Sequence, residues 1–250
     1  MKKVLFVDLD DTLFQSLGKC PVSAELIPLA YLKDGAPISF GTPAQMATLR
    51  MFQKEMLVIP VTARNMDAFS RVSIDFISGA VLNYGGVILT PDGSVDEVWM
   101  ERSREHSMRG LEGLTFFQEY IESESGRCNF DLKSRIIRDL ELPFYVVAKS
   151  PGYDTDAIAH IARLCEQKCT ERDFCDYRVH VNGNNLAVLP RWLDKGNAVR
   201  YLLENLRKNE EQIVTFGMGD SLIDLGFMGE CHYMIVPTAS QIARSRLVEI

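Results

Sequence analysis

The chain contains no apolar run long enough to cross a membrane. A transmembrane helix needs about 20 consecutive, mostly apolar residues, and no stretch of the 250 residues approaches that length. The apolar stretch after Lys2 and Lys3 is similar to the start of a signal peptide, but Asp8, Asp10 and Asp11 interrupt it early. We therefore expect a first strand here, a cytoplasmic location and no membrane partner.

The chain also lacks an excess of basic residues. Lys and Arg number 27 against 34 Asp and Glu, which gives a net charge of -7. Because nucleic-acid-binding surfaces carry clustered positive charge, we expect no nucleic-acid partner. With 46% hydrophobic residues, the chain can bury the core of one large or two modest domains. Its oligomeric state stays open between a monomer and a homodimer.

Paired C-x-x-C spacings, which are typical of structural zinc sites, are also lacking. Cys165 and Cys169 are four residues apart, with His160 before them and Cys175 after them. This spacing leaves zinc binding as an alternative, but it does not match the paired arrangement. We expect ordinary reduced cysteines, as in cytoplasmic proteins.

Two carboxylates follow directly on an apolar strand near the start of the chain. Residues 4–7 are apolar, and Asp8 and Asp10 come next with one residue between them. Buried charge is costly unless it is paired or bound to metal, so the pattern predicts a divalent cation and a carboxylate free to attack phosphorus. The alternative is that Asp10, Asp11 and Thr12 only form a turn and cap a helix.

Polar residues follow a second apolar strand in the same way. Residues 57–61 are predicted to form a buried strand that ends at Thr62, with Ala63 and Arg64 behind it. The hydroxyl group of Thr62 is suited to hydrogen-bond a phosphate oxygen. Arg64 is either a second phosphate ligand or a partner in a surface ion pair.

Two segments near the other end of the chain add a lysine and two acids. Lys195 begins an amphipathic helix, with Asp194 available as its cap. A strand over residues 213–216 leads to Asp220 and Asp224. These two acids are four residues apart, so they share a face if they lie on the first turn of a helix.

These four segments, in this order, resemble the motifs of the haloacid dehalogenase superfamily of phosphohydrolases. The resemblance implies that Asp8 is the nucleophile and that Asp10 is a general acid and base. It also implies a Mg²⁺ cofactor, to which Asp10 contributes its backbone carbonyl. The implied magnesium ligands are Asp8, Asp10, Asp220 and Asp224. The implied phosphate-binding residues are Thr62, Ala63, Arg64 and Lys195.

The order of elements predicts an α/β fold with an insertion. Strands and helices alternate over residues 1–83 and 187–250, which predicts a Rossmann-like parallel-sheet core of the superfamily. Residues 84–186 instead carry hairpin signals at residues 87–99 and 182–184. This region resembles an inserted C2-type α+β cap domain of the sucrose-phosphate phosphatase and sugar phosphatase group.

Two parts of the chain allow alternative interpretations. Residues 13–42 are predicted to be mostly loop with one short helix, either covering the mouth of the site or forming a disordered flap. In the second hairpin, Asn182, Asn184 and Asn185 are available to bind sugar hydroxyls. A tight hairpin turn requires the same residue types, and we favour that interpretation.

The sequence therefore predicts a magnesium-dependent phosphatase that acts on a small phosphorylated metabolite. The resemblance points to a sugar phosphate and to an aspartyl-phosphate intermediate. A phosphomutase of the same superfamily is the alternative among enzymes. A catalytically silent binding protein on this fold is the alternative from another class.

Overall fold

The computed structural model describes residues 1–22, 25–209 and 212–246. The strands, in chain order, are β1 (Lys2–Val7), β2 (Gln15–Ser16), β3 (Ile27–Tyr31), β4 (Pro37–Gly41), β5 (Leu57–Pro60), β6 (Ala80–Leu82), β7 (Val87–Leu89), β8 (Lys133–Asp139), β9 (Leu142–Lys149), β10 (Tyr177–Asn182), β11 (Asn185–Pro190), β12 (Ile213–Met218) and β13 (Tyr233–Ile235). The α-helices are α1 (Pro43–Glu55), α2 (Met66–Phe69), α3 (Glu97–Arg127), α4 (Thr155–Lys168), α5 (Lys195–Asn209), α6 (Leu225–Met228) and α7 (Gln241–Arg246).

The chain divides into two compact units. The first comprises Met1–Met100 and Asp194–Ile250, and the second comprises Glu101–Leu193. The predicted domain boundaries, at residues 83/84 and 186/187, therefore differ from the division that the structure shows. The reason for the first difference is that β7 pairs with β6 in an antiparallel hairpin, which keeps residues 87–89 with the first unit.

The parallel sheet predicted for the core is present in the first unit. It has four strands in the order β13-β12-β1-β5, and every neighbouring pair is parallel. Residues 4–7 of β1 have no accessible surface. Strands of a parallel sheet are buried on both faces, which explains why this strand is continuously apolar.

Helices cover both faces of this sheet. Val4 and Phe6 belong to one apolar cluster, in which α5 contributes Ala198, Val199 and Leu203. The alternate residues Leu5 and Val7 belong to a second cluster, in which α1 contributes Met46, Leu49 and Phe52. Because side chains alternate between the two faces of a strand, β1 contributes to both clusters.

Residues 13–42 differ from their prediction as a loop with one short helix. They contain a three-stranded antiparallel sheet in the order β2-β4-β3 and a short 3₁₀ turn at Leu17–Lys19. Asp34 accepts a hydrogen bond from the backbone N–H of Ala36, and Gly35 adopts a φ of +85° between the strands. Leu29 of β3 is buried in the core. The prediction was wrong because turn-forming residues dominate the local composition, whereas burial of β3 fixes the strands.

The hairpin predicted over residues 87–99 is only half present. A tight turn does form after β7, because the N–H of Thr90 donates to the carbonyl of Ser94 and Gly93 has a φ of +82°. The second predicted strand is reduced to one bridge between Leu89 and Val95. Instead of a second strand, helix α3 begins at Glu97. The carboxylate of Asp96, directly before it, caps the helix by accepting a hydrogen bond from the N–H of Trp99.

The second unit is an antiparallel α+β fold, as predicted for the insertion. Its sheet has the order β10-β11-β9-β8, and the apolar residues of α3, α4 and the sheet share one core. The hairpin predicted at residues 182–184 joins β10 to β11. The amide of Asn184 bonds the backbone N–H and carbonyl of Ser150. In the turn itself, Gly183 has a φ of +54° and the amide of Asn185 donates to the carbonyl of Asn182 at 3.3 Å, which agrees with the turn interpretation.

Two expectations from the sequence concern membrane-spanning helices and the chemical state of the cysteines. Within the described ranges, no helix combines the length and the apolar character that crossing a bilayer requires. All six cysteines are free thiols. Burial raises the pKa of Cys165 to about 12 and that of Cys169 to about 11, so these thiols stay protonated at neutral pH.

The first turn of α1 provides a test of the fold. The side chain of Thr42 accepts from the N–H of Gln45, and the side chain of Gln45 accepts from the N–H of Thr42. Replacing a capping residue by alanine costs about 1 kcal/mol. We expect Thr42→Ala to lower the free energy of unfolding by that amount in urea denaturation.

Thr48→Ala is the matched control for this prediction. The hydroxyl group of Thr48 bonds the carbonyl of Ala44 within the same helix, so the control removes the same atoms without removing a cap. Its free energy of unfolding should change by no more than about 0.5 kcal/mol. Equal losses in the two variants would show that the capping box does not hold the start of α1.

Candidate active site

The site forms where β1 and β12 end. The N–H of Asp8 donates to the carbonyl of Met218 at 2.8 Å, which continues the parallel pairing to the last residue of β12. After Asp8 the chain turns tightly, and the carbonyl of Leu9 accepts from the N–H of Leu13 at 2.9 Å. Asp8 is thus placed at the carboxyl edge of the sheet, the usual position of ligand sites in open α/β folds.

Three buried carboxylates converge at this edge. One oxygen from each of Asp8, Asp220 and Asp224 lies within 4.8 Å of the others. Gly219 permits the approach, because a Cβ atom there would lie 2.6 Å from the Cβ of Asp224. The condition for a shared helix face is not met, because the 3₁₀ turn Leu222–Asp224 begins only after Asp220.

Lys195 neutralises part of this negative charge. Its Nζ atom donates to Oδ1 of Asp8 at 2.6 Å and to Oδ1 of Asp224 at 2.7 Å, and its side chain is 4% exposed. Asp194 caps α5 as predicted, because its carboxylate accepts from the N–H of Gly196 at 2.7 Å. The cap fixes the first residue of the helix, which is Lys195.

The electrostatics of the cluster follow from burial and from this excess of carboxylates. Burial raises the pKa of Asp8 well above its ordinary value, and the charge of Asp224 adds to the rise while Lys195 opposes it. Burial and Asp224 raise the pKa of Asp220 to about 7. Burial alone would lower the pKa of Lys195, but Asp224 and Asp8 raise it overall, so the amine stays charged.

Asp224 is hydrogen-bonded at both oxygens. Oδ1 accepts from Lys195, while Oδ2 accepts from the N–H of Ser221 at 3.0 Å and from its hydroxyl at 2.6 Å. Asp224 therefore holds Lys195 in place, and its oxygens are less available to a metal ion than those of Asp8 and Asp220.

Thr12 lies between the two remaining carboxylates. Its hydroxyl is 3.4 Å from Oδ2 of Asp8 and 3.4 Å from Oδ1 of Asp220. A hydroxyl has one proton to donate, so it can bond only one of the two at a time. The sequence suggested Thr12 only as part of a turn or a cap. The available signal was its position two residues after Asp10.

The residues predicted to bind phosphate are only partly brought to the cluster. Lys195 is in the cluster. Thr62 is buried, and its hydroxyl accepts from the N–H of Arg64 at 3.1 Å. Ala63 lies between them in the turn that follows β5. The guanidinium group of Arg64 bonds both carboxylate oxygens of Asp10, at 2.7 and 2.8 Å. The side chain of Asp10 therefore points to Arg64 and is not one of the three grouped carboxylates.

The donor set fits a magnesium ion. Asp8, Asp220 and Asp224 offer only oxygen atoms, and Mg²⁺ prefers such hard ligands and retains several waters. Within the described residues, the cysteines and histidines form no comparable group with a third ligand. The three carboxylates are therefore the described residues that could together hold a metal ion.

Comparison with known proteins places the fold. The family model for sucrose-6F-phosphate phosphohydrolase matches residues 150–243, which include Lys195, Asp220 and Asp224. Curated protein sequences gave no match. A haloacid dehalogenase-like hydrolase from B. subtilis is 15% identical with a TM-score of 0.57, over 98% of this chain and 93% of that one.

Two further solved structures are similar. The sucrose-phosphatase of Synechocystis sp. PCC6803, in complex with sucrose and phosphate, is 16% identical with a TM-score of 0.53, over 100% of this chain and 88% of that one. A Thermoplasma acidophilum protein is 14% identical with a TM-score of 0.59, over 98% of this chain and 89% of that one.

These matches and the parallel sheet show the fold. The chain has the Rossmann-like haloacid dehalogenase core with an inserted α+β unit, as its motifs predicted. Over residues 150–243, the chain is also similar to the sucrose-6F-phosphate phosphohydrolase family.

The pKa of Asp220 predicts how stability depends on pH. A carboxyl whose pKa is higher in the folded than in the unfolded chain stabilises the fold when it is protonated. This contribution is complete below its ordinary value of 3.8 and is lost as pH rises through about 7. We expect the metal-free protein to lose stability between pH 5 and pH 8, measured by urea denaturation in chelator.

Asp220→Asn is the comparison for this prediction. An amide cannot ionise, so the loss of stability between pH 5 and pH 8 should be smaller in the variant. The variant should also be more stable than the wild type at pH 8 without metal, because one of three crowded charges is gone. Identical slopes for the two proteins would exclude Asp220 as a source of the pH dependence.

Proposed function

We propose that the protein is a magnesium-dependent phosphatase that hydrolyses a small phosphomonoester through an aspartyl-phosphate on Asp8. The observation that carries the proposal is the pair formed by the carboxylate of Asp8 and the amine of Lys195, 2.6 Å apart at the end of β1. A carboxylate held beside a charged amine can accept an incoming phosphate, because the amine is present to neutralise the added charge.

A sugar phosphate is the proposed substrate class. The matching family model is that of a sucrose-6F-phosphate phosphohydrolase. A similar solved structure is a sucrose-phosphatase in complex with sucrose and phosphate, and another is the C-terminal domain of a C. albicans trehalose-6-phosphate phosphatase, which is 14% identical with a TM-score of 0.56. These likenesses support the same substrate chemistry here.

Charge is the main obstacle to the reaction, and this chain carries the groups that reduce it. Two like unit charges 4 Å apart repel by about 4 kcal/mol at an effective dielectric constant of 20. The phosphate dianion meets Asp8, Asp220 and Asp224 at one place. Lys195 offsets part of this repulsion, and a bound Mg²⁺ supplies the remaining positive charge.

We assign the metal to Asp8, Asp220 and the backbone carbonyl of Asp10. Asp224 remains the weakest candidate among the predicted ligands, because Lys195 and Ser221 already bond its two oxygens. The hydroxyl of Thr12 lies 3.4 Å from an oxygen of each of Asp8 and Asp220 and can donate to either one. In this assignment Asp224 supports the site mainly by orienting Lys195.

The reaction proceeds in two steps on the protein's own groups. In the first, an oxygen of Asp8 forms a bond to phosphorus while the bond from phosphorus to the leaving oxygen breaks, and Asp10 gives that oxygen a proton. In the second, a water molecule gives a proton to Asp10 and its oxygen bonds to phosphorus, while the bond from phosphorus to the Asp8 oxygen breaks. This releases phosphate and the free Asp8 carboxylate. Thr62 is suited to hydrogen-bond a phosphate oxygen in both steps.

Asp8→Asn tests the nucleophile. The amide has the size of the carboxylate but cannot attack phosphorus, so release of inorganic phosphate from a panel of sugar phosphates should fall by at least about 1,000-fold. Free phosphate is the readout because a phosphomutase would return the phosphoryl group to the sugar.

Asp11→Asn is the matched control for Asp8→Asn. It makes the same change in the same loop, at a residue whose carboxylate pairs with Lys19 and whose left-handed φ of 64° asparagine tolerates. The control should keep most of the activity. Near wild-type release of phosphate by Asp8→Asn would rule out Asp8 as the nucleophile.

Removal of the metal tests the cofactor. Excess chelator should abolish phosphate release, and added Mg²⁺ should restore it, because the incoming phosphate and the three carboxylates otherwise repel one another. Asp220→Asn should need a higher Mg²⁺ concentration for half-maximal activity, since one ligand charge is lost. Full activity in excess chelator would refute the metal assignment.

A further inference from the structure

Arg64 forms a bidentate ion pair with the carboxylate of Asp10. Its Nε donates to Oδ2 at 2.8 Å, and its Nη2 donates to Oδ1 at 2.7 Å. This two-pronged geometry fixes the direction of a carboxylate as well as its distance, because the guanidinium group is planar and rigid. The orientation of Asp10 is therefore set by a residue that follows a different strand, β5.

Arg64 is itself fixed by its surroundings. Its backbone N–H donates to the hydroxyl of Thr62 at 3.1 Å, and its carbonyl accepts from the N–H of Asn83 at 2.9 Å. Its Nη1 lies 3.4 Å from the carbonyl of Ala68, and its guanidinium carbon lies 5.2 Å from the ring centre of Phe14. Its side chain is 14% exposed, against 44% for Asp10. Arg64 is therefore the fixed partner of the pair.

The contact with Phe14 places Arg64 against a second residue of the loop after β1. Phe14 belongs to the same turn as Asp10, because its carbonyl accepts from the N–H of Asp11 at 2.7 Å. Arg64 therefore holds the loop at two points, through the carboxylate of Asp10 and through the aromatic ring.

We infer, on the basis of the proposed phosphatase function, that Arg64 is the positioning residue that aims the carboxyl group of Asp10 at the leaving oxygen. Two of the guanidinium nitrogens are committed to Asp10, so Arg64 is not primarily a ligand of the transferred phosphate. A general acid must lie within about 2.6–3.2 Å of the atom that it protonates. One oxygen of Asp10 can carry the proton while the other keeps its bond to Arg64.

The test uses substrates that differ in their need for a proton. An alkyl phosphate such as a sugar phosphate requires protonation of its leaving oxygen, whereas p-nitrophenyl phosphate releases a stable anion. Arg64→Lys keeps the positive charge but removes the bidentate hydrogen bonds of the guanidinium group to Asp10. We expect it to lower kcat/KM for the sugar phosphate by roughly 10- to 100-fold, and to leave kcat/KM for p-nitrophenyl phosphate within about threefold of wild type.

Rapid kinetics give a second signature. Activation of water in the second step also uses Asp10, so the aryl substrate should show a fast burst of nitrophenol followed by slow turnover in Arg64→Lys. In an Asp10→Asn background, Arg64→Lys should cause little further loss of kcat/KM on the sugar phosphate, because Arg64 acts through Asp10. Arg64→Gln serves as the second variant should Arg64→Lys not fold.

Arg71→Lys is the matched control. Arg71 is also partly buried, pairs with Asp67 and donates to the carbonyl of Tyr31, but it has no bond to Asp10. It should leave the ratio of the two kcat/KM values unchanged. Thermal unfolding of all variants distinguishes a loss of folded protein from a change in the orientation of the Asp10 carboxylate.

The contrary outcomes are distinct. If Arg64 binds the transferred phosphate, Arg64→Lys will lower kcat/KM for both substrates by the same factor and weaken inhibition by inorganic phosphate. That result overturns the inference and leaves the phosphatase in place. A wild-type protein that hydrolyses neither substrate nor any other phosphomonoester overturns the proposed function, and the inference with it.

Discussion

The double ion pair of Lys195 with Asp8 and Asp224 is the contact on which the rest of the site depends. Three carboxylates within a few ångströms of one another repel strongly when they are buried. One amine, held at 2.6 and 2.7 Å, makes this arrangement tolerable. The order of the parallel sheet is what allows it, because β1 and β12 are neighbours and their ends deliver Asp8 and the acidic turn to the same edge. The start of α5 then supplies the lysine.

This arrangement departs from local preference in a way that indicates function. A positive charge on the first residue of a helix is unfavourable, because the unpaired N–H groups there already carry partial positive charge. Lys195 is such a residue, and Asp8 and Asp224 reverse the balance. Departures of this kind are expected at functional sites, where chemistry outweighs local stability.

A second ion pair, between Asp10 and Arg64, gives the second acid of the D-x-D motif a cation of its own. Lys195 pairs with Asp8 and is buried in the cluster, whereas Arg64 pairs with Asp10 at a more exposed position. The two acids of the D-x-D motif are one residue apart, yet each has its own cation. This separation gives one loop two different electrostatic environments, as the proposed roles of a nucleophile and a general acid would require.

The sequence by itself determined the parallel core, its four motifs and the residues that carry charge, because continuous apolar strands followed by acids leave few alternatives. The capped helices α1 and α5 and the hairpin at residues 182–184 were likewise predictable from local patterns. Only the tertiary structure decided how the charges pair. Distances between distant segments decide three contacts: the bidentate pair of Asp10 with Arg64, the hydrogen bonds to both oxygens of Asp224, and the position of Thr12 between Asp8 and Asp220. The same holds for the small sheet within residues 13–42, whose strands are fixed by burial of Leu29 against the core, which no local pattern records.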